Sequence, residues 1–109
     1  MRPSRCIGLL APAYHYCLAR EFIFRGIRFE TEAPLAVRYR EEVVDCAYRI
    51  DFLVEGRLLV ELKSVERLSS LHKAQLLTYL RLSNRKLGLL VNFNSVTLKD
   101  GIVRVVNGL

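Results

Sequence analysis

Several features that would place this chain in a specialised class are missing from its sequence. The three cysteines, Cys6, Cys17 and Cys46, are dispersed without a Cys-x-x-Cys spacing, so neither a zinc knuckle nor a disulfide framework is indicated. No apolar run approaches the roughly 20 residues of a membrane span, and the apolar stretch near the start is too short to indicate a signal peptide. Low-complexity tracts and repeats are also missing. We therefore expect a globular, cytoplasmic protein with no membrane partner.

Acidic residues are fewer than basic ones. With 17 Lys and Arg against 11 Asp and Glu, the formal net charge is +6 and the sequence pI is about 9.6. A basic surface favours polyanions, of which phosphate backbones are the commonest, although many small basic proteins bind nothing in particular. The 109 residues are too few to form two well-buried cores. The sequence thus predicts a single domain, residues 1–109, with nucleic acid as a candidate partner.

Hydrophobic periodicity predicts the order helix, three strands, helix, two strands, which is an α/β fold with a mixed β-sheet flanked by two helices. The first helix is expected over residues 13–25, and four of its aromatic side chains are assigned to the core: Tyr14, Tyr16, Phe22 and Phe24. Residues 27–40 read as an edge strand bent at Pro34. The second helix starts at a serine cap, Ser69 or Ser70. Because the next run, residues 87–93, reads as a buried strand, a right-handed crossover is predicted.

Residues 49–63 read as a β-hairpin, since two alternating apolar runs flank Glu55-Gly56. Placing the apolar side chains of both runs on one face gives three pairs: Ile50 with Leu62, Phe52 with Val60, and Val54 with Leu58. This register leaves a three-residue loop at residues 55–57, in which Gly56 is free to take a positive φ. A two-residue turn would place apolar residues opposite polar ones, so we predict the longer loop.

Three charged side chains interrupt this apolar hairpin. The predicted register places Asp51 opposite Glu61, and the two-residue period of a strand puts Lys63 on the same face. Carboxylates about 5 Å apart at Cβ raise one another's pKa unless a cation lies between them. Such oxygen ligands suit Mg²⁺ or Mn²⁺. The alternative is a solvated edge pair of Glu61 and Lys63, with Asp51 as an ordinary salt-bridge partner.

The order of these residues and of two later segments resembles a known family. Asp51 followed by Glu61-Leu62-Lys63 looks like the Asp…Glu-x-Lys site of the PD-(D/E)XK nuclease superfamily. Residues 72–80, HKAQLLTYL, and residues 87–94, LGLLVNFN, are similar to its GxxExxY protein family, in the RecB-like branch. The resemblance runs roughly from Gly8 to Gly108. It implies a restriction-endonuclease-like fold of order α-β-β-β-α-β-β and a nuclease that depends on Mg²⁺ or Mn²⁺.

The resemblance also implies roles for individual residues. Asp51, Glu61 and the carbonyl of Leu62 would bind the ion, and Lys63 would activate water or neutralise the transition state. A Gln-x-x-x-Tyr pair beside the active site would here be Gln75, holding the lysine or a phosphate, and Tyr79, supporting it. The residues expected to bind the nucleic-acid backbone are Arg28, Arg38, Arg40 and Lys73. From spacing alone, Gln75 and Tyr79 are also consistent with helix surface and core, and the arginines with a solvated strand face.

One position departs from the family motif. The motif aligns with residues 8–14, where Gly8 and Tyr14 match but Ala11 occupies the position of the glutamate, which in the superfamily can complete the metal site. Its loss predicts weaker metal binding. Glu21 lies about 15 Å further along the helix and is too far away to substitute. The chain also begins close to Gly8, where relatives usually have another helix, so a shortened N-terminus is expected.

Three functions remain open at this point. The leading one is a metal-dependent phosphodiester hydrolase acting on DNA in preference to RNA. The second is a catalytically weak or inactive module that keeps the nuclease fold and binds nucleic acid or a protein partner. The third is a toxin-like or structural subunit of a larger assembly. Double-strand cutting by a single-site domain of this size would need two identical domains, so a homodimer or larger assembly is compatible with the first function.

Overall fold

The computed structural model describes residues 11–94 and 99–108, with side chains except at residues 11, 36–39, 43–47 and 99. Its elements, in chain order, are α1 Ala11–Phe24, β1 Phe29–Tyr39, β2 Glu42–Val54, β3 Leu58–Lys63, α2 Ser70–Leu82, β4 Leu87–Asn92, a 3-10 helix at Lys99–Gly101 and β5 Ile102–Val106. The predicted order α-β-β-β-α-β-β is confirmed. The architecture is that of a restriction-endonuclease-like α/β fold.

The five strands form one sheet in the order β1-β2-β3-β4-β5. Neighbouring strands are antiparallel except for β3 and β4, which are parallel, and α2 provides the crossover between them. The sheet is therefore mixed, as predicted. Strand β1 lies at an edge and its register shifts between Pro34 and Ala36, which agrees with an edge strand that a proline interrupts.

The hairpin of β2 and β3 has the predicted register from the loop as far as Phe52 and Val60, but the predicted pair of Ile50 with Leu62 is not formed. Its backbone pairs are Phe52 with Val60, Leu53 with Leu59 and Val54 with Leu58. The loop of residues 55–57 is a turn in which Glu55 and Gly56 have φ of 54° and 68°. Two consecutive left-handed residues reverse the chain tightly, and glycine adopts this conformation without a steric cost.

Helix α2 begins at the predicted serine cap. The Ser69 hydroxyl accepts a hydrogen bond from the His72 N–H at 3.4 Å, and the His72 Nδ1 accepts one from the Ser69 N–H at 3.0 Å. This reciprocal pair is a capping box with histidine in the place of the usual glutamate. His72 therefore has a structural role at the start of the helix.

The core has two halves, one on each face of the sheet. The half beneath α1 is formed by Tyr14, Phe52, Val54, Val60, Val91 and Phe93. The half beneath α2 is formed by Ala33, Leu35, Ile50, Leu53, Leu59, Leu76, Leu80, Leu90 and Val105. The core assignment holds for Tyr14 and is wrong for Tyr16 and Phe24, which are 63% and 87% exposed, because α1 turns that side away from the sheet.

The end of β3 is tied to β4 by a buried amide. Asn92 accepts a hydrogen bond from the Val65 N–H at 3.1 Å and donates one to the Val65 carbonyl at 2.8 Å. Asn92 thus satisfies the backbone of Val65 and fixes the chain shortly after Lys63. Neither helix in the described part of the chain is long and apolar enough to cross a membrane.

Candidate active site

The candidate site lies where β2 and β3 separate. Their backbone pairing ends at Phe52 and Val60, and side chains replace it beyond that point. Asp51 accepts a hydrogen bond on Oδ2 from the Leu62 N–H at 2.7 Å, while Glu61 receives one from the backbone of Asp51. Each carboxylate is thus attached to the backbone of the opposite strand. This arrangement satisfies buried backbone donors and fixes both acids in place.

The alternation of side chains breaks at Asp51. Ile50 packs in the core half beneath α2, whereas Phe52 and Val54 pack beneath α1. The expectation that Ile50, Phe52 and Val54 share one face is therefore wrong for Ile50. The side chains of residues i−1 and i+1 point to the same face only in a regular strand. Strand β2 is irregular at Asp51, so Ile50 and Phe52 point to opposite faces.

The neighbouring strand β1 breaks at the same place. Phe29 packs beneath α1, but Ala33 and Leu35 pack beneath α2. Between them, Glu32 has a φ of 49°, in the left-handed region that side-chain-bearing residues seldom adopt. Since Thr31 pairs with Phe52 and Ala33 with Ile50, the register puts Glu32 across from Asp51. The two strands therefore change faces together at this pair.

This shared break opens a cavity of about 330 Å³ on the α1 side, lined by Pro12, His15, Glu32, Asp51 and Leu62. His15 projects into it from α1 and stacks on Phe52 with ring centroids 4.2 Å apart. Its Nε2 donates a hydrogen bond to the Asp51 carbonyl at 3.3 Å and lies 3.7 Å from Glu32 Oε1. Ligand atoms of His15, Glu32 and Asp51 all lie within 4.8 Å of one another.

A second cavity, too narrow to admit a water molecule, lies on the α2 side of the sheet. It is lined by Glu61, Lys63, His72, Gln75, Leu76, Tyr79 and Leu90. The structure thus brings Gln75 and Tyr79 beside Glu61 and Lys63. Tyr79 also stacks on Tyr48, with ring centroids 3.9 Å apart. Helix α2 supplies both residues because positions four apart lie on one face of a helix.

The three hairpin charges do not share one cavity. Asp51 lines the cavity on the α1 side, while Glu61 and Lys63 line the one on the α2 side. The expectation that they form a single facing cluster is wrong in that respect, because regular alternation fails at Asp51. Leu62, whose carbonyl was predicted to bind the metal, has its N–H bonded to Asp51 and its side chain on the α1 side.

Electrostatics nevertheless connects the two sides. Burial raises the pKa of Asp51, and the negative charge of Glu32 adds to the shift, while the Leu62 hydrogen bond, His15 and Lys63 oppose it. Burial likewise raises the pKa of Glu61 to about 7, against the opposing charge of Lys63. Lys63 therefore favours the ionised form of both acids. Each of the two carboxyls is desolvated with too little compensating charge, so each is a candidate cation ligand on its own side of the sheet.

The residues expected to bind phosphate are not gathered in one patch. Arg28 lies beside the hairpin turn, where its Nε donates to Glu55 Oε2 at 3.2 Å. Arg40 is exposed beyond the other end of β1, roughly 35 Å away for an 11-residue strand. Lys73 is exposed on α2, next to His72 of the second cavity. The side chain of Arg38, and Gly8 of the family motif, lie outside the described residues.

Two residues of the site were missed from the sequence. His15 lies four positions after Ala11, hence on the same side of α1, which is a signal the sequence did contain. Glu32 could have been found only from the register of β1 and β2, since nothing in its neighbourhood marks it as unusual. In residues 11–94 and 99–108, these two and Asp51 form the one group of three candidate metal ligands.

Of three comparisons with known proteins, one gives a match. The family model of the PD-(D/E)XK nuclease superfamily matches residues 4–105. Neither the curated proteins nor the solved structures give a match. The model spans nearly the whole chain, including the Asp51 and Glu61-Leu62-Lys63 positions at the parting of β2 and β3. This chain belongs to the PD-(D/E)XK nuclease superfamily.

Proposed function

We propose that the protein is a divalent-metal-dependent nuclease that hydrolyses phosphodiester bonds in DNA, in preference to RNA. The observation that carries this proposal is the pair of buried carboxyls at the parting of two strands, with Lys63 acting electrostatically on both. Each buried carboxyl is destabilised by the loss of water around its charged form, and a nearby cation would offset that cost. Membership in the nuclease superfamily supplies the reaction class, and the basic net charge of +6 suits a polyanionic substrate.

The proposed binding set for Mg²⁺ or Mn²⁺ is Asp51, Glu61 and the carbonyl of Leu62. When bound, such an ion polarises a phosphoryl oxygen and makes water more acidic. Asp51 is held for this role by the Leu62 N–H at 2.7 Å. Glu61 is held by the Asp51 backbone, and its pKa of about 7 lets it retain or release a proton near neutral pH.

Lys63 and the α2 residues complete the proposed machinery. The Lys63 ammonium would neutralise charge that develops on the phosphate. As a neutral amine, Lys63 would instead be the base that accepts a proton from water. Gln75 lines the same cavity as Lys63 and supplies an amide that hydrogen-bonds this lysine or a phosphate oxygen. Tyr79 stacks on Tyr48 and would hold in place the part of α2 that carries Gln75. Of the basic residues expected to bind phosphate, Lys73 is proposed as a phosphate contact, because it lies next to His72 of this cavity, whereas Arg28 lies at the hairpin turn and is paired with Glu55.

The second candidate function is a nuclease-fold module that binds nucleic acid or a protein without cleaving. Two observations favour it. Ala11 replaces the family's glutamate, and Asp51 lines a different cavity from Glu61 and Lys63. On this alternative the basic side chains affect binding, and substitution of Glu61 changes stability alone.

The test incubates purified protein with linear, supercoiled and single-stranded DNA and with RNA, in Mg²⁺, in Mn²⁺ and in EDTA. Cleavage is expected on DNA with metal, and Asp51→Ala and Lys63→Ala should each reduce it by at least about 100-fold. Glu30→Ala and Lys86→Ala, which alter exposed residues outside both cavities, are the matched controls. Cleavage that survives Asp51→Ala and Lys63→Ala contradicts the site. Salt-dependent binding without cleavage supports the second candidate.

A further inference from the structure

The cavity on the α1 side contains a nitrogen donor that the proposed binding set does not use. His15 Nε2 lies 3.7 Å from Glu32 Oε1, and the ligand atoms of His15, Glu32 and Asp51 lie within 4.8 Å of one another. Donors bound at about 2.0–2.2 Å lie within about 4.4 Å of each other. Glu32 is 61% exposed at its side chain, so a small rotation of this carboxylate is enough to close the set.

We propose that His15, Glu32 and Asp51 form a binding site for a first-row transition-metal dication, and that this chain prefers such an ion to Mg²⁺. Imidazole suits transition metals, whereas Mg²⁺ favours oxygen ligands and keeps most of its water. One imidazole and two carboxylates therefore shift selectivity away from Mg²⁺. The inference deepens the proposed function and rests on it for the use of the ion in cleavage, but not for binding.

His15 is held ready for this role. Its ring stacks on the buried Phe52, so little side-chain entropy is lost when it binds an ion. Nε2 donates to the Asp51 carbonyl at 3.3 Å. To bind an ion through Nε2, the neutral ring changes to the tautomer with its proton on Nδ1 and gives up this hydrogen bond.

The backbone also supports the site. Glu32 holds a φ of 49° inside a strand, a conformation that is unfavourable for a residue with a side chain. Glu32 lies across from Asp51 in the strand register, at the position where the side chains of both strands change faces. Asp51 in turn accepts a hydrogen bond from the Leu62 N–H at 2.7 Å, which fixes the orientation of the carboxylate, as hydrogen bonds to ligating carboxylates do in metal sites.

The position of His15 explains how a site can exist without the family's glutamate. Ala11 begins α1, and His15 follows one turn later on the same side of the helix. Helix α1 would thus supply a metal ligand, His15, one turn after the position of the family's glutamate. Glu32, from the edge strand, adds the second oxygen donor beside Asp51.

The experiment measures binding and the identity of the ligands on the full chain. Calorimetric titrations with Mn²⁺, Co²⁺ and Mg²⁺ should give tighter binding for the two transition metals. Pulsed electron paramagnetic resonance of the Mn²⁺ complex should show coupling to an imidazole ¹⁴N. His15→Gln should abolish that coupling. It should also weaken Mn²⁺ binding by at least about 10-fold, since loss of a residue that only supports a ligand already costs roughly 10- to 100-fold.

Two further variants make the result decisive. Glu32→Gln should weaken Mn²⁺ binding and keep the nitrogen coupling, whereas Glu30→Gln, an exposed glutamate on the same strand, should change neither. If His15→Gln does not fold by circular dichroism, the Glu32→Gln result alone decides. The proposal is overturned by Mn²⁺ binding no tighter than Mg²⁺ binding, by bound Mn²⁺ without nitrogen coupling, or by full affinity in Glu32→Gln.

The same measurements separate this inference from the proposed nuclease function. A protein that binds Mn²⁺ through nitrogen but cleaves nothing supports the site and contradicts the nuclease. A Mg²⁺-dependent nuclease whose Mn²⁺ complex shows no nitrogen coupling supports the nuclease and contradicts the site.

Discussion

Glu61 is an acid in an environment that opposes its charge. It is 8% exposed, and burial raises its pKa to about 7 from an ordinary value of 4.5, although Lys63 and the Asp51 backbone favour the ionised form. Between pH 4.5 and 7 the folded protein therefore binds more protons than the unfolded chain. The free energy of unfolding falls as pH rises through this window.

Glu61→Gln should remove this pH dependence, since an amide has no proton to lose. Without divalent cations, wild-type stability should drop by about 2 kcal/mol from pH 5 to pH 8, and the variant should lose most of that drop. Urea denaturation at several pH values in EDTA measures it. Glu66→Gln, which changes an exposed glutamate, should keep the wild-type slope. Equal slopes in wild type and Glu61→Gln would show that Glu61 is ionised throughout.

The strands show which parts of the structure the sequence determines. The loop at residues 55–57 and the pairs from Phe52 to Leu58 were predictable because apolar alternation and one glycine define them locally. The break at Asp51 was not predictable, because it depends on the left-handed Glu32 in another strand. A coordinated irregularity between two strands leaves no periodic signal in either one.

The candidate site divides along the same line. Asp51, Glu61 and Lys63 were found because charges in an apolar hairpin are conspicuous, and Gln75 was placed by its resemblance to a family pattern. The distribution of these side chains over two cavities depends on which face each strand presents after the break. His15 belongs to the site because of the same strand break, since the cavity that it lines lies where the two strands change faces.

Helix α2 packs closely on β4, where Leu76 of the helix approaches Gly88 of the strand. A Cβ atom on Gly88 would lie 2.9 Å from Leu76 Cδ2 and 3.0 Å from Leu76 Cγ. Leu76 is 1% exposed, so its side chain has little room to move. Glycine is therefore required here by the approach of the helix.

Gly88→Ala should destabilise the protein by about 1–3 kcal/mol through overpacking. Adding Leu76→Ala removes the clash, so the double variant should lose less stability than the two single losses combined. Chemical denaturation of the four proteins measures this coupling. Gly108→Ala, where an added Cβ meets nothing within 4 Å, is the control and should be close to neutral. Additive losses would mean that the helix is free to shift outward.

The positive charge of the whole molecule is spread over separate regions. Arg28 lies at the hairpin turn and forms an ion pair with Glu55. Lys86 lies at that end too, because its neighbour Arg85 donates to the Gly56 carbonyl at 3.4 Å. Lys73 lies at the opposite end of α2, beside the cavity of Glu61 and Lys63. A substrate that enters the proposed active site should therefore contact Lys73 and leave the hairpin end in solvent.

Salt dependence of DNA binding tests this arrangement. In EDTA, where cleavage is suppressed, Lys73→Ala should reduce the slope of log K against log salt by about one, as expected for one lost phosphate contact. Lys86→Ala and Arg28→Ala should leave the slope nearly unchanged, since one lies far from the cavity and the other is already paired. Fluorescence anisotropy of a labelled duplex across KCl concentrations gives all three slopes. If the slope falls by the same amount in all three variants, the domain binds DNA through its net charge without a preferred face. That result would contradict a substrate path across the end of α2 that carries Lys73.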